Sequence, residues 1–266
     1  MLYVNTKNKN LTYTSHQALT VDPAEGMAAP IRLPFYSPIE LSQLFGLRFA
    51  DIVAHILNKF FSKSISGDQI DHIINKFQPQ ADYLDRKTLL IHFGGSLTDL
   101  ERSVFSLLCE DYKPSVWAKC AIRIALLFAL SNELFKCGIR GADYAVVADD
   151  VLSFVPVFYG KLMGLPVRRL ITSSATEGSV WNYLHKSIHS SDEVFEYFSY
   201  GMDGNDGIVS EISSFVVSSE RAGEVIINIQ SSYNKCIDST AAFSYGALQD
   251  HRSVTGEHNT TVIFSN

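Results

Sequence analysis

The sequence predicts an α/β protein: a mostly parallel sheet with helices on both faces, joined to a helix-rich N-terminal part. Three observations predict it. Short apolar runs bounded by turn residues recur at 89–93, 144–148 and 167–172, as strands buried on both faces do. Helix, tight turn and strand follow one another between 144 and 172, which calls for parallel strands joined by crossover helices. The chain has 266 residues, 46% of them hydrophobic and 19% charged. That is enough to bury a sizeable core and too apolar for a disordered or collagen-like chain.

From the N-terminus, 2–4 and 11–13 read as short strands around a polar turn, 5–10. Pro23, Gly26, Pro30 and Pro34 make 21–36 an irregular connection. Ser37-Pro38-Ile39-Glu40 is a helix start: Ser37 caps, Pro38 suits the first helical position, and Glu40 reaches back. Phe49, Ile52, Val53, Ile56, Leu57, Phe60 and Phe61 form an i, i+3, i+4, i+7 stripe. A third helix opens at Ser66 and runs through Phe77 until Pro79 stops it. Residues 1–78 are thus expected as a hairpin and helical region, and 79–266 as the α/β core, together one compact unit.

In the core, the strand at 89–93 leads through Gly94 and Gly95 into a helix capped by Ser96 and carrying Leu97, Leu100, Val104, Leu107 and Leu108. Pro114 breaks the chain before a long apolar helix over 117–135. Strand 144–148, helix 151–163, the Gly164-Leu165-Pro166 turn and strand 167–172 make one βαβ unit, expected to be right-handed. Beyond it, helices are expected at 180–188, 191–199, 208–216 and 221–232, and a last strand at 260–264.

Composition excludes several functions. Lys plus Arg is 22 against 28 Asp plus Glu, a formal net charge of −6, which argues against nucleic-acid binding through a basic surface. No uninterrupted apolar run approaches the ~20 residues of a membrane span, and Arg123 interrupts the richest stretch, 118–130. The first ten residues are polar, so no secretory signal is read and the cytoplasm is the expected location. Cys109, Cys120, Cys137 and Cys236 are far apart with no C-x-x-C pair; they read as buried thiols. His185 and His189 stand four apart with no third ligand, which reads as a solvated helix end.

Two strand-to-helix junctions are the places for a site, since ligands of open α/β sheets bind at the carboxyl ends of strands. At Gly94-Gly95-Ser96 free backbone amides at a helix start could hold a small anion; a plain turn with a serine cap is the simpler reading. At Ala148-Asp149-Asp150-Val151 two carboxylates suit the helix dipole themselves and would repel a phosphate. No dinucleotide fingerprint, P-loop, nucleophile elbow or Ser/His/Asp arrangement is present.

The order of segments resembles threonine synthase, a pyridoxal-phosphate (PLP) enzyme of the fold-type-II group. The likeness is spread over most of the chain. Gly164-Leu165-Pro166-Val167-Arg168-Arg169-Leu170-Ile171 is similar to the family's G-L-P-(V/I)-K-(R/K)-(F/L)-I segment and is its most specific match. Gln17-Ala18-Leu19-Thr20 running to Gly26-Met27-Ala28-Ala29-Pro30, Tyr36-Ser37-Pro38-Ile39-Glu40, and Ser239-Thr240-Ala241-Ala242-Phe243 with Tyr245 resemble further segments in the same order. The resemblance implies the large domain of that fold.

The departures are as informative. Where the family's F-K-D lysine forms the Schiff base, the resemblance places Leu100, and no lysine occurs from 88 to 111. The S-G-N-F-G phosphate loop becomes Ala148-Asp149-Asp150-Val151-Leu152. The small mobile domain has no counterpart near 111–115. The histidine of the late D/E-P-H segment is Thr240, and the terminal G-T-A-H-P segment ends here at Ser265 and Asn266. These degenerate positions (Gly94, Gly95, Ser96, Leu100, Asp149, Asp150, Thr240 and Ser265) imply no catalytic residue, no bound cofactor and no metal. The expectation is a degenerate threonine-synthase-like protein that binds an unknown protein partner or a small ligand, with neither nucleic acid nor membrane as partner. The missing domain points to a closed cleft, and more weakly to a homodimer. The alternatives are an active PLP-dependent lyase completed by another chain, and an unrelated α/β binding module.

Overall fold

The computed structural model describes residues 1–22, 26–109 and 113–265. Pro23, Asp111 and Tyr112, on which parts of the expected connection and deletion fall, lie outside them. The chain forms two compact units. One is built from Met1–Gln78, Gly94–Arg140 and Val155–Pro166, the other from Pro79–Phe93, Gly141–Phe154 and Val167–Asn266.

In the first unit, β1 (Leu2–Asn5) pairs antiparallel with β2 (Thr12–Thr14) and on its other side with β3 (Ala28–Pro30). The hairpin matches expectation. β3 and a four-residue helix α1 (Ser15–Ala18) were not expected, because three or four residues carry no period. Helices α2 (Pro38–Leu44), α3 (Phe49–Phe61) and α4 (Gly67–Ile74) follow, with α5 (Leu97–Leu108) and α6 (Val116–Lys136). The stripe read for α3 is its buried face: Ile52, Val53, Ile56, Leu57, Phe60 and Phe61 are all buried. Trp117 is fully buried, with its ring centroid 6.1, 5.5 and 5.5 Å from those of Tyr3, Phe60 and Tyr159. The Tyr3 hydroxyl donates to the Phe60 carbonyl at 2.7 Å, tying strand β1 to the end of α3.

The Ser37 capping box forms as read: Glu40 N–H donates to Ser37 Oγ at 3.3 Å, and Ser37 N–H donates to Glu40 Oε2 at 2.8 Å. Ser37→Ala is expected to cost about 1 kcal/mol, and Ser37→Gly only a few tenths. Urea unfolding of the three chains checks that order; equal losses for alanine and glycine would contradict it. The Gly164 turn is required by geometry. Its φ is +97°, and a Cβ there would lie 2.3 Å from the Tyr36 carbonyl oxygen.

The second unit holds a six-stranded sheet in the order β4-β5-β9-β6-β7-β8: β4 (Pro79–Asp85), β5 (Thr88–Phe93), β6 (Ala142–Val147), β7 (Val167–Ser174), β8 (Ile212–Val216) and β9 (Thr261–Phe264). All neighbours are parallel except the β4–β5 edge pair, so the sheet is mostly parallel as predicted. Helix α7 (Val151–Leu162) connects β6 to its neighbour β7. The unit also contains α8 (Ser179–Lys186), α9 (Glu193–Met202), α10 (Ser219–Tyr233) and α11 (Ser239–Thr255). Leu90, Ile263, Ala145 and Ile171 form a row across the strands, bedded on Val225 and Ile229 of α10 and Ala241, Tyr245 and Leu248 of α11.

Three expectations are corrected. The stretch 208–216, read as a helix, is a 3₁₀ turn (Asp206–Glu211) followed by β8. Ile212 and Phe215 fit a helical period, but pairing with β7 supplies backbone partners along the segment, and that long-range gain overrides the local pattern. The third helix, read through Phe77 to a stop at Pro79, ends at Ile74, and Pro79 does not terminate it. Pro79 opens β4, an edge strand where its missing N–H is tolerated. The cysteines are free, but only Cys120 is buried; Cys137 and Cys236 are exposed. Cys137 lies just past the end of α6, beyond the reach of its apolar stripe.

Candidate functional site

Gly94, Gly95, Ser96 and Leu100 belong to the first unit. The Gly94 N–H donates to the Gln78 carbonyl at 3.2 Å, so this amide is committed. A Cβ on Gly95 would come within 3.1 Å of the Phe77 ring, so glycine here serves packing. Ser96 stands at the N-cap position of α5 with extended backbone, but its side chain makes no capping bond. The cap read from sequence is a position without its hydrogen bond, and only the Ser96 carbonyl takes part, accepting from Asp99 and Leu100 N–H at 3.0 and 3.1 Å. Leu100 is completely buried on the apolar face of α5 with Val104, Phe105 and Leu108. This junction is an exposed turn in which the Gly94 amide is committed and the first turn of α5 carries no side-chain cap.

Asp149, Asp150, Thr240 and Ser265 belong to the second unit. Asp150 starts α7: its Oδ1 accepts from Leu152 N–H at 3.1 Å, its Oδ2 from the Ser153 hydroxyl, and its carbonyl from Phe154 N–H at 3.0 Å. Asp149 reaches from the carboxyl end of β6 to the loop after β7, where its Oδ2 accepts from Ala175 N–H at 3.2 Å. Gly178 must be glycine for this to occur, since a Cβ there would lie 2.1 Å from Asp149 Oδ1 and 3.0 Å from Ser174 Oγ. Partial burial lifts the Asp149 carboxyl above the usual range; the Ala175 hydrogen bond pulls it back, and Asp192 adds to the rise. The carboxylate of this otherwise exposed residue thus sits at the carboxyl ends of two adjacent parallel strands, where ligands of such sheets bind.

The last two positions meet at the start of α11. Asp238 caps that helix through Ala241 N–H at 2.7 Å, and the Ser265 hydroxyl donates to its other oxygen at 2.9 Å. Thr240 lies in the first turn, its carbonyl accepting from the Ser244 hydroxyl at 2.9 Å. Ser265 N–H also donates to the Ile91 carbonyl at 3.0 Å, so Ser265 extends the pairing of β9 with β5 while its hydroxyl holds the helix cap. His185 and His189 do not converge on a common ligand position. His185 stacks on Trp181 at 4.4 Å, and His189 meets Tyr183 and Phe195 edge-on at 5.4 and 5.5 Å. Both histidines are exposed, at and just past the end of α8, so the solvated helix end read from the sequence holds, with aromatic rings beside it.

Two features escaped sequence reading. In the first unit, an open groove of about 1040 Å³ is flanked by Leu2, Ile31, Phe35 and Leu47, which are 59, 49, 65 and 42% exposed. In the second, Asp143, His251 and Glu257 come together. The signal for the latter was Asp143 itself, a charge at the start of a strand whose other residues are apolar.

No family model and no curated protein sequence matches the chain. Solved structures do. Threonine synthase from Escherichia coli superposes with a TM-score of 0.71 at 14% identity, over 100% of this chain and 88% of that one. The chain carries the fold of threonine synthase. The PLP-bound threonine synthase of Brucella melitensis gives a TM-score of 0.71 at 11% identity, again over 100% and 88% of the two chains. The yeast threonine synthase gives 0.67 at 12% identity, over 99% and 86%. The threonine synthase fold therefore extends over this chain from end to end, through both units. At these identities the fold is shared while most side chains differ. Among the described residues, no helix is long and apolar enough to cross a membrane.

Proposed function

We propose that this chain is a threonine-synthase-like protein that has lost pyridoxal-phosphate chemistry and acts as a binding or interaction protein. The observation that carries this reading is Asp149. Its carboxylate takes the Ala175 N–H and lies against Gly178, so the protein supplies its own anion where the resemblance places a phosphate loop. A dianionic phosphate beside Asp149 and Asp150 would meet like charge at close range. The residues at the resembling positions do not fit the cofactor in a second respect. Leu100 offers no amine, and the guanidinium of nearby Arg102 does not lose its proton, so neither can form a Schiff base. The groove flanked by Leu2, Ile31, Phe35 and Leu47 supports the interaction half of the proposal, since apolar side chains grouped on a surface mark contact sites.

The purified chain mixed with pyridoxal phosphate is expected to show no stoichiometric aldimine absorbance, and borohydride reduction is expected to leave no single labelled lysine by mass spectrometry. Leu100→Lys is expected to behave the same way, because the anion site stays blocked. A saturable, borohydride-trapped adduct at one lysine of the natural chain would overturn the proposal and favour a working lyase.

A further inference from the structure

Asp143 opens the central strand β6, His251 lies near the end of α11, and Glu257 follows the turn that leaves that helix. Their ligand atoms all lie within 4.8 Å of one another, with Asp143 and His251 buried and Glu257 exposed. His251 is 1% exposed, yet neither ring nitrogen has a hydrogen-bond partner among the described residues, and the same is true of Asp143 Oδ1. Buried polar atoms are nearly always satisfied, so orphaned ones on two neighbouring residues of one cluster need an explanation.

The surroundings hold the three groups in place. Gly256, at φ +70°, ends α11 in the left-handed conformation and turns the chain back so that Glu257 Oε2 faces His251 Nε2 at 3.8 Å. Asn259 donates to that same carboxylate oxygen at 3.2 Å, and Asp143 N–H donates to the Thr260 carbonyl at 2.9 Å. Three arginines are near. Arg252 is spent on Asp85 and Thr88, both at 2.9 Å. Arg169 faces Ser210 and Ser213. Arg168 Nε lies 3.7 Å from Asp143 Oδ1 on a half-exposed side chain, a loose contact that can yield to a stronger cation.

We infer that Asp143, His251 and Glu257 form a binding site for a divalent transition-metal ion of the zinc class. One imidazole nitrogen and two carboxylates are borderline-hard ligands that suit zinc and its neighbours, whereas magnesium and calcium prefer oxygen alone. Two carboxylates balance the charge of one divalent ion. Bonds of about 2.0–2.2 Å put the ligands of a tetrahedral zinc roughly 3.4 Å apart. Glu257, exposed and in a loop, already stands 3.8 Å from His251 and has room to adjust. A fourth position is left for solvent, as at zinc sites with three protein ligands. The site stands at the amino end of β6, six residues and roughly 20 Å along the strand from Asp149, and does not depend on the functional reading above.

Titration with Zn²⁺ and Co²⁺ tests the inference. Exposed Cys137 and Cys236 would bind these ions adventitiously, so the background is the Cys137→Ser/Cys236→Ser chain. One equivalent of Zn²⁺ is expected to bind, and Mg²⁺ is expected not to compete. Bound Co²⁺ should give visible ligand-field bands without thiolate charge transfer. Glu257→Gln, at an exposed position that does not endanger folding, is expected to weaken Zn²⁺ binding about tenfold or more. Undiminished binding in Glu257→Gln, or no saturable binding in the parent, would overturn the inference.

Discussion

Asp85→Ala is expected to destabilise the sheet unit by about 3–5 kcal/mol, the cost of breaking a buried ion pair from one side. Asp85 ends the edge strand β4. Its Oδ2 accepts from Arg252 at 2.9 Å, from the Thr88 hydroxyl at 2.7 Å and from the Tyr245 hydroxyl at 3.1 Å, and its Oδ1 accepts from Lys87 N–H at 2.7 Å. Arg252 and Asp85 side chains are only 12 and 17% exposed, so solvent screens the pair weakly. Arg252 Nε already lacks a hydrogen-bond partner among the described residues, and removing the carboxylate would leave more of the guanidinium unsatisfied. The carboxylate thus joins β4, β5 and α11. Burial pushes the Asp85 carboxyl upward, but the hydrogen bonds from Lys87, Thr88 and Arg252 outweigh it and hold the group below the ordinary value of 3.8. A depressed folded value means the stabilisation is complete above the unfolded value and is lost as pH falls through the folded one. The difference between parent and Asp85→Ala is therefore expected to be full at neutral pH and to shrink in acid. Urea unfolding followed by Trp181, which lies in the same unit, measures it. A loss below about 1 kcal/mol would mean that the network acts as an ordinary surface pair.

The reach of sequence reasoning can be seen element by element. Helix α3 was legible to its end residues because its stripe is long and its period unambiguous, and α2 because Ser37, Pro38 and Glu40 each hold a position that only a helix start explains. Strand β9 was legible as a strand, but not as the member of the sheet that pairs with both β5 and β6, because order in a parallel sheet is set by long-range pairing that no local pattern encodes. β8 was misread for a related reason: Ile212 and Phe215 stand three apart, which fits a helix rather than an alternation, and pairing with β7 overrides it. At the candidate site, the pair of carboxylates at the start of α7 could be read from the sequence. That Asp149 crosses to Ala175 and Gly178 could not, since those partners lie 26 and 29 positions away on the next strand's loop. The Asp143–His251–Glu257 cluster was hidden likewise. Its histidine and aspartate are more than a hundred positions apart, and each alone looks like an ordinary polar residue.

Glu101 carries the second large effect, and its sign depends on how the substitution is made. In α5, Glu101 lies among the buried positions Leu100, Val104, Phe105 and Leu108, where the stripe alone calls for an apolar residue. Its carboxylate receives Arg123 Nε at 2.5 Å, and the two side chains are 14% (Arg123) and 3% (Glu101) exposed. Arg123 is the same residue that interrupts the apolar run of α6, so the two irregular positions answer each other across a helix pair. Glu101→Ala leaves the guanidinium buried without this counter-ion and is expected to cost about 3–5 kcal/mol. Glu101→Gln keeps an acceptor for Arg123 but removes the charge, so its loss should be smaller. The double exchange Glu101→Leu/Arg123→Met removes both desolvation penalties and fills a similar volume. It is expected to be neutral or to raise stability, by up to about 4 kcal/mol. Unfolding followed by Trp117, buried in the same unit, separates these cases. If the double variant were as unstable as Glu101→Ala, the pair would be required for packing these helices, and replacement by apolar side chains of matching size would not restore them.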